Sequence, residues 1–184
     1  MKILSIDCGI KNLAFVILDI REDKVEIPFF SMIDLTSDKV PDRKENFYMT
    51  PRSKRRVRTM TQKVMLDKLL RVLDAFREID LFVGIDSFLI ERQMNRCTSM
   101  KQIETALYFY FKIRFSEKNI VIVDPRLKLR RELKEAGKKI SYSVRKKMSL
   151  NKAKGIVGKD QQIYGHLNFD LADCICQAVE WSDK

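Results

Sequence analysis

Apolar residues along this chain follow two periods, and the change from one to the other marks out the elements. Lys2 to Asp7 is short, apolar and loosely alternating, which predicts a strand, with Gly9 behind it as a turn residue. Leu13-Ala14-Phe15-Val16-Ile17-Leu18 is an unbroken apolar run, the pattern of a strand covered on both faces. Val25 to Ile33 predicts a third strand, with Pro28 marking an edge or a bulge. Three early strands joined by short turns predict an antiparallel meander. Residues 36 to 58 are polar and basic and carry Pro41 and Pro51, which predicts a mobile loop. Helical spacing then takes over. Met65, Leu69, Val72, Phe76 and Ile79 share one face, and Leu66, Leu70 and Leu73 widen the stripe.

An apolar stretch ending Phe88-Leu89-Ile90-Glu91 predicts a central strand. Ser99 and Gln102 have the spacing of a capping box, opening a helix through about Phe115. That helix is apolar nearly all round, at Ile103, Ala106, Leu107, Tyr108, Phe109, Tyr110 and Phe111. It is therefore buried on several sides, either in the core or against a second subunit. Ile120 to Asp124 predicts another strand, closed by Pro125, and a broken helix and loop follow around Gly137. Asn168-Phe169-Asp170 opens a last helix through about Trp181. Strands first, then helix and strand in alternation, predict an α/β fold with a mixed sheet.

The 184 residues suit a single domain, 1–184, with a real core. No run of about 18 apolar residues occurs, which predicts no membrane span. Asp7 interrupts the N-terminal apolar stretch and no small-residue cleavage site follows, so this segment reads as a strand and not as a signal peptide. Cys8, Cys97, Cys174 and Cys176 have neither disulfide-framework spacing nor a CxxC pair, which predicts reduced thiols in an intracellular protein. With His166 the lone histidine, zinc is disfavoured.

Charge narrows the partner class. The net charge is +11, and it is concentrated. Arg126 to Lys159 holds thirteen Lys and Arg against two acids, and Arg52 to Arg58 holds five basic residues in seven. Basic stripes suit a polyanion, because each neutralised phosphate releases counterions. Arg55 and Arg56 in one block, and Lys128, Arg130, Arg131, Lys146 and Lys152 in the other, are the candidate polyanion-binding residues.

The chemistry lies in four carboxylates. Asp7 and Glu91 end predicted strands, and Asp170 and Asp173 share one face of the last helix, in its first turn. Strand ends and a helix start can meet at one edge of an α/β sheet. Carboxylates crowded there repel one another, and a divalent cation resolves the conflict. Hard oxygen donors select Mg²⁺ or Mn²⁺, and two such ions about 3.5–4 Å apart can activate water and stabilise a leaving oxygen in phosphodiester hydrolysis.

Ile3 to Gly9 with Leu13-Ala14-Phe15, then Ile90-Glu91-Arg92-Gln93 followed by Ser99, then Asp170-Leu171-Ala172-Asp173 through Ala178, together resemble the motifs of RuvC-type Holliday-junction resolvases. The resemblance runs from residue 1 to about 181. The Leu13 strand, the Arg52–Arg58 block and Arg145-Lys146-Lys147 look closest to the poxvirus branch. It implies an RNase H-like fold with a mixed five-stranded sheet flanked by helices, a homodimer, and paired cuts in a four-way junction that leave 5′-phosphates. It further implies Asp7, Glu91, Asp170 and Asp173 as ligands of two Mg²⁺, with Mn²⁺ as a substitute, and a viral protein of the host-cell cytoplasm. Family members place a basic residue near the scissile phosphate. Lys128, Lys146, Lys147 and Lys152 are candidates in that stretch, with Lys147 favoured as the catalytic one.

Three other readings compete. An RNase H would share the carboxylates and cut RNA/DNA hybrids. A non-catalytic branched-DNA-binding module would keep only the basic surface. A sugar-kinase or actin-like ATPase could use Asp7-Cys8-Gly9 as a phosphate loop, but it needs a duplicated domain and more Gly-rich turns than six glycines supply.

Overall fold

The computed structural model describes residues 1–22, 24–37, 42–44, 47–49, 61–137, 140–159 and 161–183. Its centre is β1 (Lys2–Asp7), with Ile3, Leu4, Ser5 and Ile6 all buried. A strand buried on both faces needs a layer on each side, and the chain supplies both. β2 (Leu13–Arg21) and β3 (Lys24–Ile33) run antiparallel beside β1 as the predicted meander. The register of β2 and β3 slips between Ile17 and Asp19, opposite Ile27 and Pro28. Proline lacks the N–H that a ladder needs, so the bulge falls where Pro28 predicted it.

On the other side of β1, β6 (Ser87–Glu91) and β7 (Asn119–Val123) run parallel to it. The five predicted strands are all present. Two three-residue strands, β4 (Asp42–Lys44) and β5 (Phe47–Met49), extend the sheet beyond β3, giving the order β4-β5-β3-β2-β1-β6-β7. They lie inside the segment 36–58 expected to be a loop. Three residues are too few to carry a readable alternation, which is why the pattern missed them.

One face of the sheet is covered by α1 (Gln62–Glu78) and α2 (Thr98–Arg114), packed through Leu69, Leu73, Phe76, Leu107 and Phe111. Against the other lie a short 3₁₀ turn (Leu127–Leu129), α4 (Tyr142–Ile156) and α5 (Phe169–Ser182), through Leu127, Ala153, Leu171 and Ile175. Between the turn and α4 runs α3 (Arg130–Ala136), stopped by Gly137 at φ 60°, a left-handed cap that favours glycine. The expected break in the basic region is therefore real. α2 begins at Thr98, one residue before Ser99, and its N-cap Cys97 makes no side-chain capping bond, so the Ser99/Gln102 box is not formed.

The aromatic helix α2 settles inside the protomer. Ile103, Leu107 and Tyr110 are 1%, 0% and 3% exposed, and Phe111 stacks into a ring cluster with Phe82 and Phe88. Its outward apolar residues are Phe109 and Ile113, 55% and 74% exposed. Ile103, Leu107 and Tyr110, for which the sequence left open the core or a second subunit, are therefore core residues. The apolar density of the helix reflects the depth of the α1/α2 layer.

No described helix is long and apolar enough to cross a membrane.

Candidate active site

The parallel strands β1 and β6 end at the same edge of the sheet. Ile6 pairs with Ile90, so the next residues, Asp7 and Glu91, emerge side by side. Ligands of open α/β sheets gather at such carboxyl ends of strands. The chain turns sharply after Asp7. A Cβ on Gly9 would sit 2.8 Å from the backbone oxygen of Asn12, so glycine is required there by close approach.

α5 delivers the other two carboxylates. Asn168 caps it, its side-chain oxygen accepting from the backbone N–H of Asp170 and Leu171, both at 3.0 Å. Asp170 lies in the first turn, as expected, and Asp173 one turn further in, on the same face. The buried Gln177 amide donates to Ser5 Oγ at 3.1 Å, tying α5 to β1 and fixing Asp173 relative to Asp7. All four acids line one cleft of about 480 Å³.

Three lysines line that cleft, and two of them, Lys128 and Lys146, contact its carboxylates. Lys128 Nζ lies 3.0 Å from Glu91 Oε1 and 2.6 Å from Asp173 Oδ2. Lys146 Nζ, from α4, lies 2.8 Å from Asp173 Oδ2 and 3.2 Å from Asp170 Oδ1. Burial opposes the charge on both lysines, but the surrounding carboxylates win and hold them protonated well above the usual range. Asp173 responds in kind. Burial would raise its pKa, yet Lys128 and Lys146 pull it below the ordinary carboxylate value. Asp7 goes the other way. Burial, then the negative charge of Glu91 and a hydrogen bond with it, push Asp7 well above the ordinary value. Burial and Glu91 thus favour a proton on Asp7, while Lys128 and Lys146 favour the ionised form of Asp173.

Lys147, favoured from the sequence, is exposed and does not line the cleft. Successive residues on a helix point about 100° apart, so with Lys146 turned inward Lys147 faces solvent. The structure brings Lys146 and Lys128, and not Lys147, to the four acids. Lys152 points elsewhere, paired with Glu132 at 2.7 Å and Glu180 at 2.5 Å, and joins α3, α4 and α5. Arg131 pairs with Asp183 at 2.9 Å on the surface. Arg130 is exposed on a neighbouring cleft. Arg55 and Arg56 lie outside the described residues.

Two contributors were not anticipated. Glu104, 1% exposed on α2, accepts from the backbone N–H of Gln93 and pairs with Lys101 at 2.6 Å, holding the turn that follows Glu91. An acid at helical spacing between Ile103 and Leu107, on the buried side of an apolar helix, was the available signal. Tyr142, 67% exposed, stands at the cleft mouth with Lys146 Nζ 5.9 Å from its ring centroid.

The cleft offers hard oxygen donors, and among the described residues that line it Asp173 Oδ1, Asn12 Oδ1 and Ser149 Oγ are buried without a hydrogen-bond partner. Among the described residues no three His, Cys, Asp or Glu side chains are grouped as a ready cation cage. The lysine ammonium groups stand between the carboxylates and supply positive charge where a cation would. The donor set fits a hard divalent ion and not a soft one. The three buried thiols are unsuited to nucleophilic work. Cys8 and Cys174 are buried and pushed well above the usual thiol range, by burial first and by Asp7 next, and burial pushes Cys176 up to about 12.

Comparison with known proteins bears on the fold and the family. The fowlpox virus Holliday junction resolvase superposes with a TM-score of 0.60 at 14% identity, covering 100% of this chain and 98% of that one. The fowlpox virus resolvase in complex with substrate Holliday junction DNA gives 0.60 at 18% identity, covering 100% and 97%. Thermus thermophilus RuvC in complex with Holliday junction substrate gives 0.63 at 14% identity, covering 99% and 93%. These establish the RNase H-like fold of RuvC and the resolvases. No curated protein sequence matches the chain significantly. A family profile, however, spans residues 1–184, and by that match the chain belongs to the family described as Poxvirus A22 protein.

Proposed function

We propose that this chain is a Holliday-junction resolvase, an endonuclease that hydrolyses phosphodiesters in opposed strands of a four-way DNA junction and leaves 5′-phosphate and 3′-hydroxyl ends. The observation that carries the reading is the meeting of Asp7, Glu91, Asp170 and Asp173 with Lys128 and Lys146 in one cleft. The poxvirus family and the fold shared with resolvases bound to junction DNA point the same way.

Asp7, Glu91, Asp170 and Asp173 are the residues that would hold Mg²⁺, two ions in this reading, with Mn²⁺ as a substitute. Bound there, the metal supplies Lewis-acid activation of water and neutralises charge at the phosphate. The chain's own residues prepare that chemistry. Burial and the neighbouring Glu91 favour a proton on Asp7, and a cation bound there would favour its loss. Lys128 and Lys146 keep Asp173 ionised, and their ammonium groups face the space a scissile phosphate would enter. No side-chain nucleophile is required. Arg131, the basic residues of α4 and the Arg52–Arg58 block would bind the flanking phosphates, and a C₂ homodimer would match the two-fold symmetry of the junction. A poxvirus protein of this kind would act in the host-cell cytoplasm.

The test is a labelled synthetic four-way junction incubated with Mg²⁺ or with EDTA, beside linear duplex and RNA/DNA hybrid. Metal-dependent, symmetrically paired nicks confined to the junction are expected. Cleavage of the hybrid alone would make the protein an RNase H, and binding without cleavage in Mg²⁺ and Mn²⁺ would make it a junction-binding module.

A further inference from the structure

We propose that the open edge of β7 is a docking strand for a short, extended, acidic peptide segment of a partner protein. Among the described residues β7 is the last strand of the sheet and pairs with β6 alone. Asn119 N–H donates to Asp86 O, and Val123 O accepts from Arg92 N–H, so these residues direct their backbone groups toward β6. Backbone groups alternate sides along a strand, which turns the N–H and C=O of Ile120 and Ile122 outward. Natural edges are guarded by charge, proline, bulges or a covering element. Asn119-Ile120-Val121-Ile122-Val123 has no charge and no proline, and its register with β6 runs without a shift.

A cleft of about 500 Å³ lies along this edge. Val121, Val123 and Leu127 give it an apolar floor, and Leu133 closes it from α3. Arg130 and Lys134, one helical turn apart on α3 and both exposed, form its basic rim. Among the described residues neither has an ion-pair partner, whereas Arg126 is held by Asp124 at 3.0 Å.

These features select the occupant. Duplex DNA would satisfy the cations, but its backbone carries no N–H to meet the carbonyls of Ile120 and Ile122, and it gains nothing from an apolar floor. A second copy paired edge to edge would bring two Arg130–Lys134 rims together, like charge against like. An extended peptide supplies both backbone donors and acceptors, apolar side chains for the floor, and carboxylates for the rim. Arg126 and Leu133 line both this cleft and the one holding the four acids, so a docked peptide would sit beside the nuclease site without filling it.

The probe is the acetylated, amidated heptapeptide Asp-Ile-Glu-Val-Asp-Val-Glu, with a version carrying Lys in place of its acids as control. Amide hydrogen exchange is measured on the full chain. At saturating peptide, exchange at Ile120 and Ile122 is expected to slow by about tenfold or more, with the Lys version inert. Ile122→Pro removes one outward N–H and leaves the pairing with β6 intact, so it should abolish binding while the thermal melt is kept. Lys134→Glu should weaken binding by about fivefold without touching the strand. The proposal is overturned by no protection at saturation, by equal binding of the Lys version, by protection of these amides by junction DNA, or by protection that rises with protein concentration in the absence of peptide.

Discussion

Lys146 Nζ stands 2.8 Å from Asp173 Oδ2, a contact across 27 positions of sequence that brings α4 against α5 at the mouth of the carboxylate cluster. Its neighbour Lys147 has the same chemistry and faces solvent. The pair is therefore an internal control. Lys146→Met should lower the single-turnover cleavage rate of a four-way junction by about 10²–10³, the scale for losing one preorganised charge at a developing oxyanion. Lys147→Met should leave the rate unchanged. Equal losses in both would mean that bulk positive charge on α4, and not its position, is what matters.

Asp170 tests binding apart from chemistry. It lies in the first turn of α5 and is only partly buried, so Asn in its place keeps the shape and a favourable N-terminal polar group. Asp170→Asn should abolish cleavage and retain junction affinity, because the basic surface is untouched. Gel-shift and nicking assays on the same preparation read both. Loss of both activities, with an unchanged melt, would remove Asp170 from the proposed metal-ligand role.

The carboxylates were legible in the sequence because each sits where an element begins or ends, and such positions are marked by a change of hydrophobic period. Asp7 and Glu91 close apolar strands, and the parallel pairing of Ile6 with Ile90 then fixes their adjacency. The choice among Lys128, Lys146, Lys147 and Lys152 was not legible. α4 carries cations around its surface, so no apolar stripe gives its rotation away, and only docking against α5 decides which lysine turns inward. The dense apolar face of α2 left two readings open for a related reason. Periodicity reports that a helix is covered, not whether its own domain or a partner covers it. Glu104 escaped notice because a single acid in a buried helix has no pattern of its own.

The outward side of α2 gives the proposed homodimer its test. Phe109 and Ile113 are one turn apart, and both are more than half exposed, an arrangement suited to contact with a second copy. Ile113→Glu should shift sedimentation from dimer to monomer with little change in the thermal melt. Ile103→Glu should unfold the protomer instead, since it puts an unpaired charge at a position 1% exposed. A dimer that survives both Ile113→Glu and Phe109→Glu would place the interface on another face.

Tyr110 links the α1/α2 layer to pH. Its hydroxyl donates to Asp74 Oδ1 at 2.9 Å, and Arg114 lies over its ring at 4.2 Å. Burial first, then the hydrogen bond and negative charge of Asp74, raise its pKa from 10.0 to about 12, with Arg114 pulling weakly the other way. Between those values the folded chain keeps a proton that the unfolded chain has released. Stability from this group is therefore fully present below about pH 10 and is lost as pH rises toward about 12. Tyr110→Phe should cost about 1 kcal/mol at neutral pH, the worth of one hydrogen bond, because Asp74 is partly exposed and can turn to water. It should also flatten the alkaline fall, so that urea midpoints of the variant and the parent chain converge as pH rises. Parallel curves through that window would mean that the Tyr110 phenol titrates alike in the folded and unfolded chains.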